Sequence, residues 1–246
     1  MLTSLAGGVV VDASEASKGD GPFFCPECKS ELTLKKGSIN IHHFAHRPPF
    51  DCDWGCGESL VHHECKREIY NALLKKKIDD VALEKSLASG ARPDVSFSMR
   101  GHTVAIEVQR STLSEWEIER RTFLYYKAKV AVLWVIPGFF PDVDKYAPKS
   151  FERYLHGLYF GKCFYHLHTD KVIPCHFDDF QIYVEPREWR EDGEDQYAGG
   201  YYRYSKRYRT PVLSNATAIP QMYRKIREES QFGHMNFPAA ALWCPK

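Results

Sequence analysis

Arg92-Pro93-Asp94-Val95 is followed, after a short polar turn, by Val104-Ala105-Ile106-Glu107-Val108-Gln109, a β-branched apolar run that carries a carboxylate and an amide. Side chains alternate along an extended chain, so Asp94, Ser96 and Ser98 share one face, and Ala105, Glu107 and Gln109 share one face of the next strand. A hairpin of these two strands sets Asp94 and Glu107 on one wall. A carboxylate inside an apolar strand must be paired, hydrogen-bonded or metal-bound. Two carboxylates gripping one hard divalent cation are the arrangement of metal-dependent phosphodiester hydrolysis. Solvated acids on the open face of a half-exposed sheet have the same spelling, so the flanking elements must decide.

From Glu58 to about Lys77, the residues Val61, Cys65, Ile69, Ala72 and Leu73 recur at helical spacing and predict an amphipathic helix. Glu58, His62 and Lys66, at i, i+4 and i+8, form a polar stripe beside the buried one, readable as functional or as a solvated face of ordinary pairs. His63 and Glu64 read as surface residues and Cys65 as core. A first strand is expected over Val81–Leu87, then the hairpin strands, then a second helix from Ser114 to Lys129 that opens on a Ser114/Glu117 capping box. Val130–Ile136 is a continuous apolar run, the pattern of a strand buried on both faces, and Pro137-Gly138 ends it. The element order is αβββαβ.

Upstream, Cys25-Pro26-Glu27-Cys28 and His43-Phe44-Ala45-His46 are thiolate and imidazole pairs suited to tetrahedral Zn²⁺. The expected ligands are Cys25, Cys28, His43 and His46, with His42, Cys52 and Cys56 near enough to substitute. Glu31–Leu34 and Ser38–Ile41, around Lys36-Gly37, predict a small hairpin with the ligand pairs at its ends. A closed four-ligand site is structural, and a segment of some fifty residues needs such a staple.

The chain has 246 residues, 43% of them apolar, with 33 Lys plus Arg against 32 Asp plus Glu. That is enough for a packed core, and the balance gives no sign of a bulk polyanion binder, so any nucleic-acid surface must be a local patch. No apolar run approaches the roughly 20 residues that span a bilayer, and the first residues lack the basic stretch of an export signal. A cytoplasmic protein without membrane association is expected, with its close-set cysteines on metal rather than in disulfides.

The αβββαβ order, with Asp on the second strand and Glu-x-Gln on the third, resembles the PD-(D/E)XK nuclease superfamily. More closely, the chain resembles the CoiA-like competence family of predicted nucleases. The resemblance is carried in order by Cys25-Pro26-Glu27-Cys28, His43–His46, Glu58-Ser59 with His62 and Lys66, and Arg92–Val95, then by Ile106–Gln109 with Ser111, Arg121-Thr122, Tyr125 and Leu133–Ile136. It implies an α/β restriction-endonuclease-like core with a mixed central sheet over 58–138. The Cys/His spacing itself reads as a zinc-ribbon-like module over 1–57, and the residues past the core as an α+β extension over 139–246. The resemblance also implies a Mg²⁺- or Mn²⁺-dependent DNA nuclease that processes incoming or foreign DNA, in competence or phage defence. Asp94, Glu107 and the carbonyl of Val108 would hold the metal. Gln109 stands where the superfamily often has Lys, so Lys66 would supply the missing cation, with Glu58 as a further ligand and His62 as proton shuttle or phosphate contact. Arg121 and Tyr125 would brace the site or touch phosphate. The rival expectation is a catalytically weak or inactive nucleic-acid-binding or assembly subunit that docks through its zinc module. A protein partner or a homo-oligomer stays open in either case.

Beyond Gly138, Leu158–Tyr165 and Val172–Phe177 suggest a hairpin packed on the core, with Cys163 and Cys175 buried. Tyr201, Tyr202 and Tyr204 interleave with Arg203, Lys206, Arg207 and Arg209, a composition suited to stacking bases and neutralising phosphates, or to a plain surface strand. The tail after Phe232 is expected to be loosely ordered.

Overall fold

A computed structural model describes residues 1–52, 58–87, 90–110, 113–138 and 141–246. The first fifty residues form five short strands, β1 (Thr3–Ala6), β2 (Val9–Asp12), β3 (Phe23–Phe24), β4 (Glu31–Lys35) and β5 (His43–His46), in one antiparallel sheet ordered β2-β1-β3-β4-β5. Its core is small: Phe23, Cys25, Leu32, Leu34 and Phe44, with the two phenyl rings 5.0 Å apart. The expected partner of β4 is corrected here. It is the histidine segment itself, Lys35 facing His43 and Leu32 facing His46, and not Ser38–Ile41. Phe44 supplies the inward apolar residue that a partner strand needs, whereas Ile39 is 94% exposed.

Then come α1 (Leu60–Lys75), β6 (Asp79–Leu83), β7 (Val95–Met99), β8 (His102–Val108), α2 (Glu115–Lys127) and β9 (Ala131–Val135), the αβββαβ order read from the sequence. Ser59 caps α1 by accepting the His62 amide, and Cys65, Ile69 and Leu73 bury its apolar stripe. Ser114 caps α2 through the Glu117 amide, but the Glu117 carboxylate turns to Arg120, so half of the expected capping box forms. β7 and β8 meet through Arg100-Gly101, both at positive φ, the twist a two-residue hairpin loop requires. β9 runs parallel to β8, which obliges a crossover, and α2 provides it. The first strand stops at Leu83, short of the expected Leu87, because Glu84 adopts a left-handed φ of 46° and its amide bonds the Asp94 carbonyl.

Past residue 141 lie α3 (Ser150–Leu158), β10 (Cys163–His168), β11 (Lys171–Val184), the exposed hairpin β12 (Arg187–Glu191) and β13 (Glu194–Ala198), then β14 (Tyr201–Leu213). They are followed by β15 (Thr217–Ala218), β16 (Tyr223–Arg227), β17 (Ser230–Phe232), β18 (Met235–Phe237) and β19 (Ala240–Cys244). The β10–β11 hairpin is present with Cys163 opposite Cys175, both buried. Its first strand begins later than expected because Leu158 ends a helix, and Phe160 and Gly161, both at positive φ, turn the chain. The segment after Phe232 is ordered, contrary to expectation: the apolar run Ala240–Cys244 is wholly buried beside β9. The central sheet is therefore mixed and six-stranded, β16-β19-β9-β8-β7-β6, with β9 parallel to both neighbours. Among the described residues no helix is long and apolar enough to cross a membrane.

Candidate metal centre and its carboxylate network

Asp94 lies one step beyond the Val95–Ile106 pair, so the register sets it opposite Glu107 with both side chains on one face of the sheet. The Val108 amide donates to Asp94 Oδ2 at 2.8 Å, fixing that carboxylate at the strand end. Helix α1 packs over this face and delivers its polar stripe. Carboxylate oxygens of Glu58 and Asp94 and a ring nitrogen of His62 all lie within 4.8 Å of one another. His62 Nε2 is 3.3 Å from Asp94 Oδ2 and 3.9 Å from Glu58 Oε1. Neither approach is aligned as a hydrogen bond, and this buried nitrogen has no hydrogen-bond partner among the described residues. An imidazole nitrogen that lies between two carboxylates without a hydrogen bond fits a site for a divalent cation.

Lys66 is completely buried and sits behind this cluster, its Nζ 2.7 Å from Glu58, 2.7 Å from Glu84 and 3.3 Å from Asp94. Burial would raise the Asp94 carboxyl, but the charges of Lys66 and His62 outweigh it and hold the group well below the usual range. The same contest holds Glu58 low, with Lys66 first among the opposing charges and His63 bonded to it. Lys66 stays protonated, since the carboxylates of Glu84, Asp94 and Glu58 overcome its desolvation.

Two members of this network escape sequence reasoning. Glu84, read as a strand residue, is fully buried and accepts the Leu2 amide at 3.0 Å, the Thr3 amide at 3.0 Å and the Thr3 hydroxyl at 2.8 Å. Those bonds tie β1 to the core. His63, read as a surface residue, is buried with Nε2 2.6 Å from Glu58 Oε2 and its ring 5.2 Å from that of His43. The Met1 nitrogen also reaches Glu58 Oε2, at 2.9 Å. Helical position gives His63 away, since it stands three residues before Lys66 on one side of α1; nothing local marks Glu84.

Glu107 is held from the other side. Its two oxygens accept from Arg121 and from the Tyr125 hydroxyl, and the guanidinium rests 5.2 Å over the Trp134 ring. Burial is the largest influence and pushes Glu107 up to about 7; the Asp94 charge adds to it, and Arg121 and Tyr125 oppose it. Gln109 is buried just past β8, with its backbone amide on the Val135 carbonyl. The structure thus brings Glu58, His62, Lys66 and Asp94 together and sets Glu107 beside them, while Arg121 and Tyr125 serve Glu107.

In the N-terminal module, Cys25, Cys28, His46 and Cys52 bring one ligand atom each to within 4.8 Å of one another. Cys28 Sγ and His46 Nε2 are 3.4 Å apart. His43 is not among them: three residues from His46 on one strand, it points to the opposite face, and Cys52 takes the fourth place. Hydrogen bonding from Ser30, with help from His46 and Cys52, pulls the Cys28 thiol down to about 6. Three sulfurs and one imidazole form a closed set of the kind that binds zinc. Cys56 lies outside the described residues.

On β14, Tyr201, Tyr202, Arg203, Tyr204, Lys206 and Arg207 are exposed. Arg209 differs, since its guanidinium donates to the Ser205 and Tyr208 carbonyls.

The fold and site define an α/β protein in which a Cys/His module precedes a mixed-sheet domain carrying a carboxylate, histidine and lysine centre. Residues 11–55 match the family model "Competence protein CoiA, N-terminal domain", and residues 58–145 match "Competence protein CoiA, nuclease-like domain". The chain belongs to the CoiA-like family. It is similar to competence protein CoiA of Bacillus subtilis (strain 168), 30% identical over 115 residues that make up 46% of this chain and 31% of that relative. No solved structure matches.

Proposed function

We propose that this chain is a divalent-metal-dependent DNA nuclease built on a restriction-endonuclease-like PD-(D/E)XK core, acting on incoming or foreign DNA in competence or phage defence. The observation that carries the reading is the convergence of Glu58, His62 and Asp94 around an orphaned imidazole nitrogen, in a domain whose family model is nuclease-like. These three residues would hold the ion, and the nitrogen ligand suits Mn²⁺ as well as Mg²⁺. When bound, it would polarise a phosphate and acidify a water. Lys66 is a positioning residue: fully enclosed, it keeps Glu58 and Asp94 ionised and in place rather than touching phosphate. Asp94 is further oriented by the Val108 amide. For Glu107 to join the set, Arg121 must turn from its carboxylate to an incoming phosphate, an exchange of one anion for another that preserves the guanidinium's hydrogen bonds.

One observation favours a second reading, a weakly active or inactive nucleic-acid-binding subunit: both Glu107 oxygens are taken, and Gln109 cannot replace a lysine's charge. Incubating the protein with plasmid, linear and single-stranded DNA under Mg²⁺, Mn²⁺ or EDTA separates the two. The nuclease reading expects metal-dependent cleavage that Asp94→Ala and Glu107→Ala each lower by at least about 100-fold. Binding without cleavage under every metal decides for the subunit.

A further inference from the structure

The N-terminal sheet turns a polar face to solvent. Leu32 and Leu34 of β4 point into the small core, which leaves Glu31, Thr33 and Lys35 on the outer side, with His43 paired to Lys35 and Arg47 beside Thr33 and Glu31. This face floors an open groove of about 1070 Å³ lined by Lys18, Lys35, Lys36 and Arg47 but by a single carboxylate, Glu31, which Arg47 engages at 3.1 Å. A net charge of +1 over the whole chain makes this concentration of cations local. Lys36 is spent on the Ser14 and Ala16 carbonyls. Lys18 and Lys35 are exposed and have no ion-pair partner among the described residues, so their charge is available to a ligand.

One lining residue borders the carboxylate centre: the His43 ring is 5.2 Å from that of the buried His63, and His63 Nε2 is 2.6 Å from the Glu58 carboxylate. The groove's size sits at the upper end of small-molecule pockets, and its cations come from three separate segments, Lys18 in the short turn Lys18–Asp20, Lys35 at the end of β4 and Arg47 just past β5, a layout suited to an extended polyanion.

We propose that this groove on the Cys/His module is the track along which a nucleic-acid strand reaches the Glu58–His62–Asp94 centre. The inference rests on the nuclease reading for what lies at the end of the track, but binding to the track is measurable without cleavage. The module is then a substrate-binding surface as well as a zinc-stapled fold, and Lys18, Lys35 and Arg47 are phosphate contacts.

The test is anisotropy of a 5′-labelled oligonucleotide, single-stranded and duplex, with the full zinc-loaded chain and no added Mg²⁺ or Mn²⁺, which withholds the hydrolytic ion without the chelator that would strip the module's zinc. Zinc content and the unfolding midpoint establish that each variant is folded; the Lys18 and Lys35 side chains lie at the surface. Lys18→Glu/Lys35→Glu should weaken binding at least about 10-fold at low salt. Lys18→Ala/Lys35→Ala should flatten the dependence of log affinity on log salt by about 1.4, the value for two lost phosphate contacts to a single strand. Wild-type affinity and slope in both variants overturn the proposal. So does loss of binding in Arg203→Ala/Arg207→Ala when the Lys18/Lys35 variants bind normally, which assigns the strand to β14, and so does competition by an acidic polypeptide but not by unlabelled DNA. A wild-type chain that binds through the groove yet cleaves nothing under any metal overturns the nuclease reading and leaves the track standing.

Discussion

Replacing Lys66 by methionine keeps the volume and removes the charge, and the structure sets the size of the consequence. The ammonium lies 2.7 Å from Glu58, 2.7 Å from Glu84 and 3.3 Å from Asp94. At an effective dielectric of about 20, each contact is worth roughly 5–6 kcal/mol before the cost of burying the lysine is subtracted. Breaking one buried pair typically costs about 3–5 kcal/mol, because the orphaned partner stays buried. With three carboxylates deprived of their shared cation but keeping their other hydrogen bonds, Lys66→Met should lose about 5 kcal/mol at neutral pH, a fall in Tm of roughly 10–20 °C for a chain of this size. The loss must depend on pH. All three carboxyls are held below their ordinary values, so the stability they contribute is present above the unfolded carboxylate range, near 4 to 4.5, and drains away as pH falls through the lower folded values. In the variant the uncompensated acids take up protons at higher pH, which relieves their repulsion. The gap between wild type and Lys66→Met is therefore widest near pH 7 and shrinks towards pH 4. Chemical denaturation followed by tryptophan fluorescence at several pH values measures it. A loss under about 1 kcal/mol at pH 7, or a gap that does not change with pH, would refute the account of Lys66 as the cation on which the centre is built.

Glu107→Gln tests the opposite shift. With its carboxyl raised from 4.5 to about 7, wild type gains stability that is complete below 4.5 and is lost as pH rises through 7, roughly 3 kcal/mol in all. Wild type should thus lose ground against the glutamine variant between pH 4 and 8, and parallel profiles by denaturant titration would count against a protonated Glu107. In the N-terminal module, Cys52→Ser should release zinc to a chromophoric chelator at least about 10-fold faster than wild type, while His43→Ala keeps its metal; the reverse result would restore His43 as the ligand.

The helices and strands of the core were readable because their signals are local. Cys65, Ile69 and Leu73 repeat at helical spacing, Ser59 and Ser114 cap, and Ala131–Val135 spells a strand covered on both sides. Asp94 and Glu107 were found by the same alternation that, applied to β5, excludes His43 from the company of His46. What stayed hidden depends on long-range placement. Glu84 becomes part of the site through a left-handed turn and through Leu2 and Thr3, some eighty positions away. Arg121 and Tyr125 share a side of α2 with one turn between them, which the spacing shows, but their commitment to Glu107 follows from how α2 crosses the sheet.

One of the two strands flanking β9 is β19, which begins more than a hundred residues later in the chain. A fragment trimmed to residues 58–145, the extent of the nuclease-like match, would leave one whole side of β9 with its backbone amides and carbonyls unanswered beside bare apolar side chains. Such a flank recruits whatever extended chain it meets, including another copy of itself, and clumps. Dissection of this protein should accordingly proceed by point substitution in the full chain, and during synthesis the domain stays open along that flank until Ala240–Cys244 has been made.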